Sequence, residues 1–215
     1  MEPTLLIGDY LFVSKFSYGY SKYSFMPGIP IVDDLIEMGT SRLIKNRILS
    51  SAPKRGDIII FRGPKSDRIS FIKRLIGLPG DTIIFLNNEL YVNGQKVIQQ
   101  ETSTYNFFNG GNPKTLQAFT EFLPNTKPHT IVKYQQAKKF DNTHDSVQRF
   151  DVPANHYFFM GDNRDFSGDS RFNEIGMVHE QYLIGRAEIL FWTSKTFSDL
   201  ITFSIDPRWF ERLKS

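Results

Sequence analysis

Short stretches in which apolar residues alternate with polar ones, or run together for a few positions, dominate the chain. Each is rich in Ile, Val, Phe and Tyr and is bounded by Gly, Pro, Asp or Asn, residues that favour turns. The clearest examples read DYLFVSKF, GDIIIFRG, ISFIKRLIG, DTIIFLNNELYVNGQKV, HYFFMGD and LIGRAEILFW. This pattern predicts a mostly β protein.

The run from residue 82 to residue 97 contains two internal turn signals. The pairs Asn87-Asn88 and Asn93-Gly94 tolerate left-handed backbone conformations. We therefore expect consecutive short antiparallel strands across residues 82–97. Helical periodicity is weaker everywhere, although VDDLIEMGTSRLIKNRILS, residues 32–50, predicts one or two helical turns.

A change of composition marks residues 99–149, which are rich in Asn, Thr, Gln and Lys and contain the loop-forming stretches FFNGGNP and LPNTKPH. We interpret this region as an inserted β-rich subdomain, so that residues 1–98 and 150–215 form the core. Residues 20–52 receive no role from their pattern. The C-terminal aromatics are either core residues or, if exposed, a membrane-facing edge; they include Trp209 and Phe210.

One charged residue interrupts an apolar strand face. On a two-residue period, Lys73 shares its face with Ile69, Phe71 and Leu75, whereas Arg74 points the other way. The first interpretation is an edge lysine whose stem packs and whose amine reaches water. The second is a buried lysine, whose lowered pKa makes the neutral amine a base near neutral pH.

Composition restricts the partners, nucleophiles and membrane segments that the chain can have. The 215 residues have a formal net charge of only +3 with scattered basic residues, so we predict no nucleic-acid partner. The absence of cysteine leaves Ser, Thr and Lys as nucleophiles. No apolar run approaches the ~18 residues of a membrane span, and the start MEPTLLIGDYLFV is not a signal peptide. We expect this start to follow on from a longer protein and the chain itself to contain no membrane anchor.

The stretch GDNRDFSGDSRFNEIG, residues 161–176, is the second candidate for chemistry. A calcium-binding EF-hand register from Asp165 fails, because Ser170 and Gly176 occupy the places of the turn glycine and the bidentate glutamate. The stretch is either a polar loop that bonds its own backbone or a buried ion-pair network that positions a functional group. No metal or cofactor is predicted.

Together these motifs resemble the bacterial type I signal peptidases, or leader peptidases, which are Ser-Lys serine proteases. The resemblance rests on MEPTLLIGDYLFVSKFSYG, KRGDIIIF, FIKRLIGLPGD and MGDNRDFSGDSR, which occur in the same order as in the family. It implies an antiparallel β-sheet catalytic core of the signal-peptidase type. It also favours the second interpretation of Lys73, because the lysine before RLIGLPGD is the family's general base.

Further roles follow from the resemblance, residue by residue. Ser167 matches the serine that orients the catalytic lysine, and Asp169 and Arg171 match the residues that hold this serine's loop near the site. Other residues of the same motif match supporting positions with less defined roles; these are Asp162, Arg164 and Ser170.

The family's nucleophile lies in the motif Ser-Met-x-Pro-Thr. The segment after the serine is matched by Met1, Pro3, Thr4 and Leu5. The nucleophile is therefore expected immediately before Met1, and the 215-residue chain is expected to be inactive. The implied partners are the signal peptides of exported pre-proteins and a membrane surface. The implied location is the periplasmic side of the bacterial inner membrane.

Two alternatives remain open at this stage. One is a non-catalytic peptide-binding or scaffold protein on the same fold, for which Met1 is a genuine start. The other is a self-cleaving repressor-type Ser-Lys protease, which offers no reason for GDNRDFSGDSR and needs a DNA-binding domain that the sequence does not show.

Overall fold

A computed structural model describes residues 1–18, 51–87, 89–109, 112–134 and 147–193, together with residues 208 and 213. The helical turns predicted for residues 32–50 and the aromatics Trp209 and Phe210 lie outside these residues. The described chain contains two 3₁₀ turns, Lys15–Tyr18 and Glu180–Tyr182. Its strands are Asp9–Ser14 (β1), Ile58–Gly63 (β2), Ser66–Gly77 (β3), Thr82–Leu86 (β4), Glu89–Val92 (β5), Gln95–Lys96 (β6), Ile98–Asn109 (β7), Asn112–Phe122 (β8), His129–Lys133 (β9), Gln148–Asp151 (β10), His156–Met160 (β11), Val178–His179 (β12) and Leu183–Thr193 (β13).

Three sheets contain all of these strands. The largest has six strands in the order β1-β13-β2-β3-β11-β12, the second has the order β10-β4-β5-β6, and the third has the order β7-β8-β9. Every pairing of named strands is antiparallel. The predicted mostly β, antiparallel fold is therefore confirmed. In the described residues, no helix has the length and apolar character needed to cross a bilayer.

The short strands predicted for residues 82–97 are present as β4, β5 and β6, paired in sequence. Asn87 and Asn93 adopt positive φ angles of 51° and 53° at the two turns, as their residue type allows. The third sheet, β7-β8-β9, consists almost wholly of residues from the predicted insertion. The division into a core and an inserted subdomain stays a prediction.

The six-stranded sheet is apolar on both faces where β3 meets β11. Leu75 and Phe159 belong to one buried cluster and Ile76 and Phe158 to another, and all four side chains are fully buried. Burial of such a side chain stabilises the fold by about 1.5–3 kcal/mol. Because side chains alternate along a strand, this two-sided burial explains why LIG and YFFM read as continuous apolar runs. It also fixes the faces on which Lys73 and Arg74 emerge.

Candidate active site

Lys73 lies in β3 opposite Ile59 of β2, and its side chain is half-buried. Its Nζ donates a hydrogen bond to Ser167 Oγ at 2.9 Å, so the contact expected between these two side chains is present. Burial lowers the pKa of the Lys73 amine below its ordinary value of 10.5, with Asp169 acting in the opposite direction and Arg171 in the same direction. The amine therefore loses its proton at a lower pH than an ordinary lysine does.

The expected apolar wall around Lys73 is only partly correct. Leu75 is fully buried and Phe71 is half-buried, but Ile69 is 53% exposed. The reason is that β11 pairs with β3 only at positions Arg74, Leu75 and Gly77, so Ile69 lies beyond the stretch that β11 covers.

Ser167 is carried by residues 161–171, which we call the Ser167 loop. The loop passes close to its own start, since a Cβ built on Gly161 would lie 2.2 Å from Ser167 Oγ and 3.6 Å from Lys73 Nζ. Only a glycine at position 161 leaves the serine hydroxyl room to reach the lysine. Gly168, next to the serine, has no such neighbour.

Asp169 and Arg171 tie the two ends of the Ser167 loop together. Arg171 donates from Nε to Asp169 Oδ1 at 2.8 Å and from Nη2 to Asp169 Oδ2 at 2.9 Å, and the backbone N–H of Gly161 donates to Asp169 Oδ2 at 3.1 Å. Burial acts to raise the pKa of Asp169, but Arg171, Gly161 and the Ser167 hydroxyl together hold it below its ordinary value. The fully buried Asp169 is therefore a carboxylate beside the Lys73–Ser167 pair.

Ser170 anchors the same loop to β11. Its Oγ accepts a hydrogen bond from the backbone N–H of Phe159 at 2.9 Å, and its own N–H donates to the Phe159 carbonyl at 3.0 Å. Ser170 therefore supports the loop from the side of the six-stranded sheet.

Asp162 forms an ion pair with Arg74, for which the sequence pattern predicted only the direction of the side chain. Arg74 emerges on the face opposite Lys73 and donates from Nε and Nη2 to the two carboxylate oxygens of Asp162, both at 2.8 Å. Thr4 donates its hydroxyl proton to the same carboxylate. Burial would raise the pKa of Asp162, yet Arg74 and Thr4 keep it low. The N-terminal segment is thus attached, through Thr4, to the Arg74–Asp162 ion pair.

The charges of Lys73, Arg74 and Asp162 act on the amino group of Met1. Burial and the positive charge of Lys73 lower the pKa of the Met1 amino group. The start of the chain therefore lies within electrostatic range of the Lys73 amine.

Arg164 points away from Lys73 and into the third sheet. It forms a two-pronged ion pair with Glu121 of β8, in which Nη1 lies 2.8 Å from Oε1 and Nη2 contacts Oε2. The Glu121 side chain is fully buried, and His129 of β9 lies 3.2 Å from it. Neither Glu121 nor His129 was identified from sequence, because each stands as a single residue in an irregular polar region with no motif around it.

All six predicted residues of the Ser167 loop thus have defined contacts: Ser167 contacts Lys73, and the other five hold the loop together or attach it to the neighbouring sheets. In the part of the chain that is described, no three His, Cys, Asp or Glu side chains come together as a metal site. The site therefore contains an amine with a lowered pKa, a hydroxyl in contact with it, and buried ion pairs in the surrounding elements.

Several known proteins are similar to this chain. Signal peptidase I of Rickettsia canadensis and that of Rickettsia typhi are each 39% identical to the chain over 201 residues, which is 91% of this chain and 69% of theirs. A solved structure of signal peptidase I from Enterococcus faecalis is 29% identical and covers 63% of this chain and 97% of its own, with a TM-score of 0.36. The profile of the family described as "Signal peptidase, peptidase S26" matches residues 1–192. The chain therefore belongs to the signal peptidase family, peptidase S26.

Proposed function

We propose that the protein is a serine endopeptidase that removes signal peptides from exported pre-proteins by a Ser-Lys mechanism. In this proposal Lys73 is the general base, Ser167 orients it, and the nucleophile is a serine immediately before Met1. The observation that carries the proposal is the 2.9 Å hydrogen bond between Lys73 Nζ and Ser167 Oγ, together with the lowered pKa of that amine.

The hydrogen-bond directions suit a general base. Ser167 Oγ accepts from Lys73, while its hydroxyl is a donor that lowers the pKa of Asp169. With Ser167 fixed between these two groups, a neutral Lys73 donates one N–H to Ser167 and keeps its nitrogen lone pair free. That lone pair can accept the proton of a serine hydroxyl placed beside it.

The reaction then follows the usual course for an acyl-enzyme. The serine oxygen attacks the scissile carbonyl as its proton passes to Lys73, and Lys73 returns that proton to the departing amine of the mature protein. A water molecule next attacks the ester while Lys73 takes its proton, and Lys73 returns this proton to the departing serine oxygen. The signal peptide is released as a carboxylic acid, which loses its proton to water. Two observations support a nucleophile directly before Met1: the Thr4–Asp162 hydrogen bond, and the effect of the Lys73 charge on the pKa of the Met1 amino group.

Family membership supports the substrate and the location that we propose. The substrate is a pre-protein that binds as an extended strand and is cut after small residues at the first and third positions before the bond. The site works at the periplasmic face of the bacterial inner membrane. An exposed apolar group on and before β1 suits such a membrane surface, since Ile7 is 86% exposed and Tyr10 and Phe12 are each 56% exposed.

The test is cleavage of a signal-peptide substrate with an Ala-x-Ala site. We define the serine-extended chain as the present chain with the family's serine-bearing segment joined directly before Met1. We expect the serine-extended chain to cleave this substrate and the 215-residue chain not to cleave it. Lys73→Met in the serine-extended chain should lower the rate by ~10²- to 10⁴-fold. Lys73→Arg should fail as well, because a guanidinium stays protonated.

The matched control is Lys96→Met. Lys96 is exposed and pairs with Glu89 on the surface, so its loss should leave cleavage unchanged. Equal cleavage with and without Lys73 would contradict the mechanism. Peptide binding without cleavage by the serine-extended chain would favour a non-catalytic peptide-binding protein.

A further inference from the structure

A buried ion pair joins the third sheet to the Ser167 loop and is not used by the proposed chemistry. The side chain of Glu121 is fully buried and that of Arg164 is 7% exposed, and the two share the paired contacts described above. Gln99 of β7 also donates to Glu121 Oε1, at 2.7 Å. Burying two charges is costly unless both are fully paired, so this arrangement calls for a reason.

Backbone contacts bring the same two parts together. Asn163 forms a parallel bridge with Val132 of β9. The N–H of Val132 donates to the Asp162 carbonyl, and the N–H of Arg164 donates to the Val132 carbonyl, both at 2.9 Å. The start of the Ser167 loop is therefore joined to the edge of the third sheet by one parallel bridge, and the Glu121–Arg164 pair adds a side-chain contact at the same place.

From Arg164 a short series of contacts leads to the catalytic lysine. The Arg164 carbonyl accepts a hydrogen bond from Arg171 Nη2 at 2.6 Å. Arg171 in turn holds Asp169, the residue that closes the loop around Ser167. The position of Arg164 therefore influences the position of Ser167, the residue that Lys73 contacts.

We propose that Glu121 is a positioning residue, which acts through Arg164 to hold the Ser167 loop so that Ser167 meets Lys73. The proposal rests on the proposed function for its catalytic meaning, and it gives the inserted sheet a role in the reaction. Glu121 touches no reacting atom. Its removal should loosen the loop, hydrate Lys73 and separate the lysine from Ser167.

The first measurement is the titration of Lys73 by NMR of its ε-methylene group in the 215-residue chain, assigned with Lys73→Met. It requires no nucleophile and no activity. Since burial is the largest cause of the lowered pKa of Lys73, Glu121→Gln should move that pKa upward, towards the ordinary lysine value. A Lys73 titration identical to that of the parent would overturn the proposal, whether or not the protein proves to be a peptidase.

The second measurement is cleavage by the serine-extended chain. We expect Glu121→Gln to lower kcat on the order of 10- to 100-fold with little change in KM, because misplacement of a catalytic group affects the chemical step. The matched control is Gln117→Ala. Gln117 is a buried polar residue on the same strand whose amide donates to the Ser103 carbonyl at 2.8 Å, within the third sheet. It should lower stability but leave kcat and the Lys73 titration unchanged.

A double variant separates positioning from simple loss of stability. Glu121→Gln alone leaves the Arg164 guanidinium buried and unpaired, whereas Glu121→Gln with Arg164→Gln contains no buried charge at this place and should fold more readily. The shorter glutamine at position 164 cannot replace the reach of arginine, so the raised Lys73 pKa and the low kcat should persist while thermal stability recovers. Recovery of all three to parental values would show a purely structural pair and overturn the proposal.

Discussion

At the scale of single residues, the space of one methyl group decides whether Ser167 can meet Lys73. Gly161 lies so close to Ser167 that a Cβ there would be 2.2 Å from the hydroxyl oxygen. A contact that short requires one group to move. The backbone of Gly161 also donates to Asp169, so the glycine cannot simply shift away. Ser167 is the side chain that must yield.

We therefore predict that Gly161→Ala in the serine-extended chain lowers kcat on the order of 100-fold, because it pushes Ser167 away from Lys73. The matched control is Gly168→Ala in the same loop, where nothing lies within 4 Å of the added Cβ. Steady-state cleavage of the Ala-x-Ala substrate measures both. Full activity of Gly161→Ala would mean that the Lys73–Ser167 contact is dispensable.

At the scale of elements, β3 joins the site to the core. Successive residues of this strand point to opposite faces, so Lys73 reaches Ser167 while Arg74 reaches Asp162. The strand ends at Gly77, where an added Cβ would lie 2.9 Å from Phe158 Cβ and 3.1 Å from Ile83 and Val152. Gly77 is thus required by packing between the first and second sheets.

Gly77→Ala should lower the free energy of unfolding by about 1–3 kcal/mol, because an extra methyl group overfills a packed interior. Urea denaturation of the 215-residue chain measures this, and Gly168→Ala, on the exposed part of the Ser167 loop, is expected to leave stability nearly unchanged. Unaltered stability of Gly77→Ala would show that Phe158 and its neighbours can give way.

At the scale of the whole molecule, the candidate site depends on contacts between parts that are distant in sequence. The six-stranded sheet supplies Lys73, the third sheet holds Arg164, and the N-terminal segment is attached through Thr4 and Asp162. None of these three parts contains the complete site.

This division explains which features the sequence could predict. Alternation and turn residues predicted the antiparallel strands and the turns at Asn87 and Asn93, and the apolar face of β3 together with its motif singled out Lys73, since each of these signals is local. The partnership of Glu121 with Arg164 could not be predicted, because 43 positions separate two residues that only the packing of the third sheet brings together. The exposure of Ile69 likewise depends on where β11 stops pairing, which no pattern within β3 records.

The central claim is that Lys73 acts as a neutral amine. A lysine must lose its proton before it can serve as a base, so cleavage should rise with pH through the pKa of Lys73, which burial places below 10.5. The most direct measurement compares the acid limb of kcat/KM for the serine-extended chain with the Lys73 pKa obtained by NMR in the same protein. If Lys73 is the general base, the two midpoints should coincide and lie below 10.5. If the midpoint of the acid limb instead lies well below the pKa of Lys73, and that pKa has the value of an ordinary lysine, cleavage proceeds while the lysine is protonated. That result would contradict the role of Lys73 as general base.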